Sequence, residues 1–433
     1  MGARMPSFHP LESTAAKLVD HHLDGLGYGW RRRSDRLSHP DCDVADLVAY
    51  DDSMLASQEA LVALHLAGNH VTDHAHRLLK HPLRLAELFP LTVHAVVSKE
   101  AWLLNACHDL SVGLPEHAGA FDAALAWAPA SDALAHAIMA LPPRRRLPLA
   151  GRRRLDMPGL VDSALAQLSR APWDDGLLPV AIAFACDIGR RDLTGRFALL
   201  LEHPDPAVCL QAARYLVMLA PRDDRGLAAR ASATLQALTL ALSAHANELP
   251  SRAAQVLCLH QPDAAREVLR DLLTRAPRLA VQMLGWLGEP AGVPTLIHAM
   301  RHQELARAAG TAASLITGSH PGRDGWSGRG PDRRSDDSSP DAIPAIEADA
   351  DWPWPDAEAF AAWWASHGDA IGTQRRFAGL PAAPPGWREV LRRGPLPWRP
   401  MAAEHLHHHH QGPAFPTDAP AFRQLTWMAG LPA

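Results

Sequence analysis

Pro277-Arg-Leu-Ala-Val-Gln-Met-Leu-Gly-Trp-Leu-Gly288 opens on a proline, sets apolar side chains at Val281, Leu284 and Trp286-Leu287, and closes on a glycine. Apolar positions three and four residues apart make one stripe on a helix. Proline in the first turn lacks only an N–H that the helix does not use there. Glycine just past the last turn supplies the left-handed residue that ends it. Val293, Leu296, Ile297 and Met300 repeat the period in a second helix. A sister copy begins at Pro204-Asp-Pro-Ala-Val-Cys-Leu-Gln-Ala-Ala-Arg-Tyr-Leu216. The ends of the first helices, Ile188, Leu219, Leu259, Leu287 and Ile316, fall at intervals of 31, 40, 28 and 29 residues. The long interval holds an Ala/Leu-rich stretch, 222–249, with a helix of its own. A period near 30 suits an α-solenoid, because each pair leaves an apolar face that only the next pair can cover. The expected fold is therefore all-α: an α-solenoid of helical pairs, with Cys186, Cys209, Val281, Leu284, Leu287 and Leu296 in its core and no strand within 177–318.

Composition agrees with that class and excludes others. Among 433 residues, 42 basic against 47 acidic side chains give a net charge of −5, which argues against a general nucleic-acid or membrane-surface binder. The five cysteines (Cys42, Cys107, Cys186, Cys209 and Cys258) are widely spaced and odd in number, so they read as buried thiols in a reducing compartment. No apolar segment follows Met1 as a secretory signal would. The longest apolar run, 177–186, is about half of the ~20 residues a membrane helix needs. A cytoplasmic location is expected.

Four regions follow along the chain. Residues 1–155 read as an N-terminal helical or capping region, since the terminal turns of a stacked array are atypical. Residues 156–318 hold the repeats. Residues 319–350, rich in Gly, Ser, Asp, Arg and Pro, read as a mobile linker. Residues 351–433 carry seven of the thirteen tryptophans and read as a Trp-rich helical module.

Catalytic signatures are missing. None of the three lysines follows a glycine, so there is no Walker-type phosphate loop. No His-Glu dipeptide occurs, hence no HExxH helix, and there is no CxxC pair. Gly325-Trp-Ser-Gly-Arg329 fails as a nucleophile elbow at its last position. No catalytic residue and no cofactor is expected. His70, Asp73 and His74 would share a helix face at ligand-like spacing, a weak metal candidate in a chain with 25 histidines. His407–His410, with His405 nearby, is an internal histidine run. Arg144–Arg146 and Arg152–Arg154 place six arginines in eleven residues, a loop for internal pairing, an acidic partner or phosphate.

Several stretches together carry a resemblance. Leu47-Val-Ala-Tyr-Asp51 with 61–68, Leu315-Ile-Thr-Gly318, Trp354-Pro-Asp356 with Trp363-Trp364, and Arg376-Phe-Ala-Gly379 resemble a largely uncharacterised bacterial family of HEAT-like-repeat proteins, over roughly residues 15–427. Members of that family are often encoded near type VI secretion genes, so the resemblance implies that setting. The expected task is non-enzymatic: a scaffold, adaptor or accessory factor that binds a protein. The alternative is a HEAT-like enzyme or nucleic-acid-acting protein, bilin-lyase-like or DNA-glycosylase-like. The candidate protein-binding residues are Trp352, Trp354, Arg375 and Arg376 with His298, Arg301 and His302, on a concave face closed at one end by the tryptophans.

Overall fold

The computed structural model describes residues 10–155, 158–170, 176–241, 248–330, 351–410 and 412–430. These residues form helices almost throughout. In chain order they are α1 (Pro10–Arg36), α2 (Val44–Ala67), α3 (His70–Leu78), α4 (Leu85–Ser98), α5 (Ala101–Gly113), α6 (Pro115–Trp127), α7 (Asp132–Ala140) and α8 (Pro143–Arg152). Then come α9 (Pro158–Arg170), α10 (Leu177–Asp187), α11 (Thr194–Ala198), α12 (Pro206–Leu219), α13 (Arg225–Ala241), α14 (Glu248–His260) and α15 (Pro262–Arg275). The chain continues through α16 (Pro277–Leu287), α17 (Val293–Met300), α18 (Ala306–Thr317), α19 (Ala357–Ile371), α20 (Pro384–Arg393), α21 (Arg399–His410) and α22 (Ala421–Ala429). The strands among the described residues are β1 (Arg376–Phe377) and β2 (Leu380–Pro381), paired antiparallel. Among the described residues no helix is long and apolar enough to cross a membrane.

The chain divides into two compact units, one of Cys42–Met157 with the N-terminal helix and Pro416–Ala433, the other of Pro158–Phe415 with His39–Asp41. In the first, α4 packs against α1, α2, α5 and α6. A helix that is apolar all round belongs inside a core, and Leu88, Phe89, Leu91, Val93, Ala95 and Val96 of α4 have no exposed surface. Local sequence sets the neighbouring ends. Asp43 caps α2 and Asp46 reciprocates onto the Asp43 N–H, a capping box. The arginine-rich stretch is absorbed here. Arg145 pairs with Asp122 at 2.8 Å, Arg146 reaches the Leu141 carbonyl, and Arg153 donates to the Leu125, Ala126 and Ala128 carbonyls at the end of α6. Arg152 pairs with Asp418 at 3.1 Å, and Arg154 lies over the Trp427 ring.

In the second unit the first helices of the pairs stand side by side in the order α10, α12, α14, α16, α18. The helices between them, α13 and α15, pack together as a second row. Asp205 caps α12 with Pro206 in its first turn, and Gly288 and Gly318 end α16 and α18 in the left-handed conformation. Cys186, Cys209, Val281, Leu287 and Leu296 are buried as expected; Leu284 is half-buried against the same core. Two boundaries need correcting. The expected 351–433 module is divided, since Pro416–Ala433 belongs to the first unit. Residues 319–330 are packed and are no linker: Trp326 is fully buried, 4.7 Å from the Phe360 ring, and Ser327 bridges to Pro355. A single large apolar side chain outweighs a polar average around it. Residues 331–350, the rest of the expected linker, lie outside the described residues.

Candidate functional site

A helix ends with carbonyls that have no partner inside it. In the second unit the first helices bring those ends to one seam, and residues 375–410 and 412–414 run along it. Arg375 donates to the carbonyls of Leu287 (2.8 Å) and Cys258 (3.0 Å), at the ends of α16 and α14. The Arg376 N–H bonds the Gly288 carbonyl at 2.7 Å, and the Ala378 N–H bonds Leu315 in α18 at 2.6 Å. Arg222, just past α12, donates to the His409 carbonyl, and the Ala414 N–H reaches Asp187 at the end of α10. The negative ends of the helices also favour the Arg375 guanidinium there.

The glycines that end α16 and α18 make this approach possible. A Cβ on Gly288 (φ +69°) would stand 2.1 Å from the Arg376 carbonyl oxygen. One on Gly318 (φ +74°) would stand 2.8 Å from that of Ala378. The two short motifs Leu315–Gly318 and Arg376–Gly379 therefore meet in space. Gly288→Ala is expected to lose more than the ~1–2 kcal/mol of a left-handed alanine, because the hairpin must also move. Gly372 has the same backbone sign (φ +74°) and open space around it. Thermal melts of Gly288→Ala and Gly372→Ala separate the two costs; equal losses would mean that the hairpin yields freely.

Under the seam lies a buried ionic cluster on α21. The Glu404 carboxylate accepts from Arg252 at 2.6 Å and from Arg214 at 3.3 Å, and Arg214 also pairs with Asp187 at 3.3 Å. Burial alone would raise the carboxyl pKa; the Arg252 and Arg214 guanidiniums with His260 outweigh it and hold it well below its usual value. Around Glu404 the histidines are packed as aromatic surface. His405 stacks on Trp387 at 4.2 Å, His260 lies 4.7 Å from His408, and His407 Nε2 is 3.8 Å from the Cys186 thiol. Burial depresses His405 and His407, and brings His408 to about 4. The histidine run is thus half interior: His407 is buried while His409 and His410 are exposed. The Cys107 and Cys186 thiols are pushed up to about 12 by burial, which makes them unreactive, and all five cysteines are buried thiols outside any disulfide.

The seam changes the meaning of several expected binding residues. Trp352 is 7% exposed and stacks on Trp398 at 5.6 Å, so it cannot serve as an exposed anchor. Trp354 is half-buried beneath Arg307. Arg375 and Arg376 are committed to main-chain carbonyls, Arg376 to those of Gly379 and Ile371. These four residues hold the chain's own segment in place. His298, Arg301 and His302 are exposed on α17 and just beyond it, with the two imidazoles 3.5 Å apart and Arg301 paired to Glu358 of α19 at 2.8 Å.

The metal candidate is also relocated. His74 is taken up by Asp20 (3.1 Å) and Arg77 (2.9 Å), away from His70 and Asp73. Among the described residues, the group whose ligand atoms converge, all within 4.8 Å, is His65, His94 and Glu100. His65 sits in the last turn of α2, His94 in the buried α4, and Glu100 just ahead of α5. Burial, aided by His65, lowers His94 to about 4. Sequence spacing gave no sign of this group, because its members come from three elements, 29 and 6 residues apart. Compared with protein-family models, curated proteins and solved structures, the chain has no match in any of the three.

Proposed function

We propose that the chain is a non-enzymatic, cytoplasmic protein-binding scaffold built of HEAT-like helical pairs, an adaptor or accessory factor, with type VI secretion as the setting that the sequence resemblance suggests. One observation carries this reading: the row of first helices already holds a polypeptide, residues 375–410 and 412–414, through hydrogen bonds from its main chain and from the Arg375 side chain to successive helix ends. Such an array grips chain by geometry that repeats from pair to pair. The seam is filled in cis, so the surface left for a partner is the row of second helices. Its exposed positions are charged and polar: Arg230 on α13, Arg266, Glu267, Arg270 and Asp271 on α15, then His298, Arg301 and His302. A strip of mixed sign suits a protein partner of mixed sign better than a polyanion. Five of the six arginines of 144–154, Arg145, Arg146, Arg152, Arg153 and Arg154, are engaged within their own unit, which favours a protein partner over a nucleic acid.

The test is affinity capture from the native cell with the full chain and with Arg270→Glu/His298→Ala/His302→Ala. Exposed substitutions of this kind change stability by less than about 0.5 kcal/mol each. The expected result is at least a tenfold loss of one captured protein at an unchanged melting temperature. Equal capture by both proteins would remove this face from the reading.

A further inference from the structure

We infer that His65, His94 and Glu100 form a binding site for one divalent transition-metal ion of the zinc class. Two imidazoles and a carboxylate are a donor set that zinc takes readily, and three protein ligands leave a fourth position for water or another ligand. The spacing fits. Ligands about 2.0–2.2 Å from a tetrahedral zinc stand roughly 3.3–3.5 Å from one another, and His65 Nδ1 lies 3.5 Å from Glu100 Oε1. The third ligand atom is within 4.8 Å of both.

Two orphaned atoms make the same point. His65 Nδ1 and Glu100 Oε2 are buried and have no hydrogen-bond partner. Buried polar atoms are rarely left so, and each needs an explanation. A cation between them satisfies both. The surroundings resemble those of a supported ligand set as well. Thr72 donates to Glu100 Oε1 at 2.7 Å, and the Ser98 hydroxyl lies 3.3 Å from a nitrogen of His94. Such outer contacts fix the orientation of the ligands. His94 has no exposed surface, whereas the side chains of His65 and Glu100 keep 24% and 12% of theirs, so the open coordination position faces the solvent side. The ion would tie the end of α2 to α4 and to the start of α5, adding to the Glu100 N–H bond to the Ala95 carbonyl.

The experiment titrates Zn²⁺ into the metal-stripped full chain beside His65→Ala and Glu100→Gln, with melting curves and far-UV circular dichroism as folding controls. Exposed histidine pairs such as His298 and His302 contribute alike to every protein and cancel in the difference. The expected result is one tight equivalent in the wild type that each variant loses or binds at least ~100-fold more weakly. Zn²⁺ should raise the wild-type melting temperature, a chelator should reverse it, and neither variant should respond. Co²⁺ in place of zinc should give visible bands of four- or five-coordinate intensity in the wild type only. Equal stoichiometry, affinity and cobalt spectra in all three proteins would overturn the site, as would a wild type that neither binds nor is stabilised by zinc. His65→Ala removes a partly exposed side chain, so a folded variant is available even if Glu100→Gln disturbs the start of α5.

Discussion

Glu404→Gln is expected to lower the stability of the Pro158–Phe415 unit by about 3 kcal/mol or more, within the ~3–5 kcal/mol that follows loss of one partner from a buried ion pair. The substitution keeps the shape of the side chain and removes its charge. It leaves Arg214, whose side chain is 11% exposed, with only Asp187, and Arg252 with no carboxylate at 2.6 Å. The cost is that of uncompensated charge rather than of lost packing. A double-mutant cycle makes this distinct. Arg214→Met with Glu404→Gln should be less damaging than the sum of the two single changes, because it removes charges of both signs together. Urea melts of the four proteins give the numbers. A loss under ~1 kcal/mol for Glu404→Gln would mean that water reaches the cluster and screens it.

Acidification should weaken the same unit, in two stages. The folded state holds His405, His407 and His408 below the usual histidine value, His408 at about 4, so each stays neutral when folded and takes up a proton on unfolding. Above pH ~6.5 neither state is protonated and the stability is intact. As the pH falls from ~6.5 towards 4 the unfolded chain binds more protons, and stability declines. For His408 a shift from 6.5 to about 4 corresponds to roughly 3 kcal/mol. Burial first, and then the groups facing these imidazoles, explain why a proton is unwelcome. His260, Arg222 and His407 lie around His408, His260, Arg375 and His408 around His405, and Arg214 beside His407; Glu404 opposes at His405 and, with Asp187, at His407. Below about 4.5 the second stage begins, because Glu404, depressed in the folded state, must then be protonated. Melts at pH 7.5, 6 and 5 should show the decline, and His408→Gln should flatten it. A stability that is level from pH 7.5 to 5 would contradict this account.

The helix rows were legible in the sequence because their causes are local. Apolar side chains at a 3.6-residue period mark α12, α16 and α18, with proline opening α12 and α16 and glycine closing α16 and α18. Their stacking then buries Cys186, Val281 and Leu296. What the sequence hid is whatever depends on distant residues meeting. His65, His94 and Glu100 share no short spacing. Glu404 gains its meaning only where α21 meets Arg214 and Arg252, 190 and 152 residues away. Trp326 was obscured by the Gly, Ser and Asp around it. Trp352 read as an anchor for some surface, and that surface proves to be the chain's own Trp398. His407–His410 read as one run with no side assigned to its members, yet a helix turns each member to a different side, so His407 is interior and His410 is not.

Asp51 of α2 accepts from Arg33 at 2.8 Å, from the Trp127 indole at 3.3 Å and from the Ala421 N–H at 2.6 Å. Arg33 in turn donates to the carbonyls of Asp418 and Ala419. The last of these partners is 370 residues downstream of Asp51. Chain emerges from a ribosome at ~5–20 residues per second, so Asp51 waits on the order of 20–70 s for Ala421 after leaving the tunnel. Through that interval the nascent first unit keeps a buried carboxylate short of one donor and Arg33 short of two acceptors. The whole second unit is synthesised before the first can close, and a nascent chain with that gap is a natural client for a chaperone.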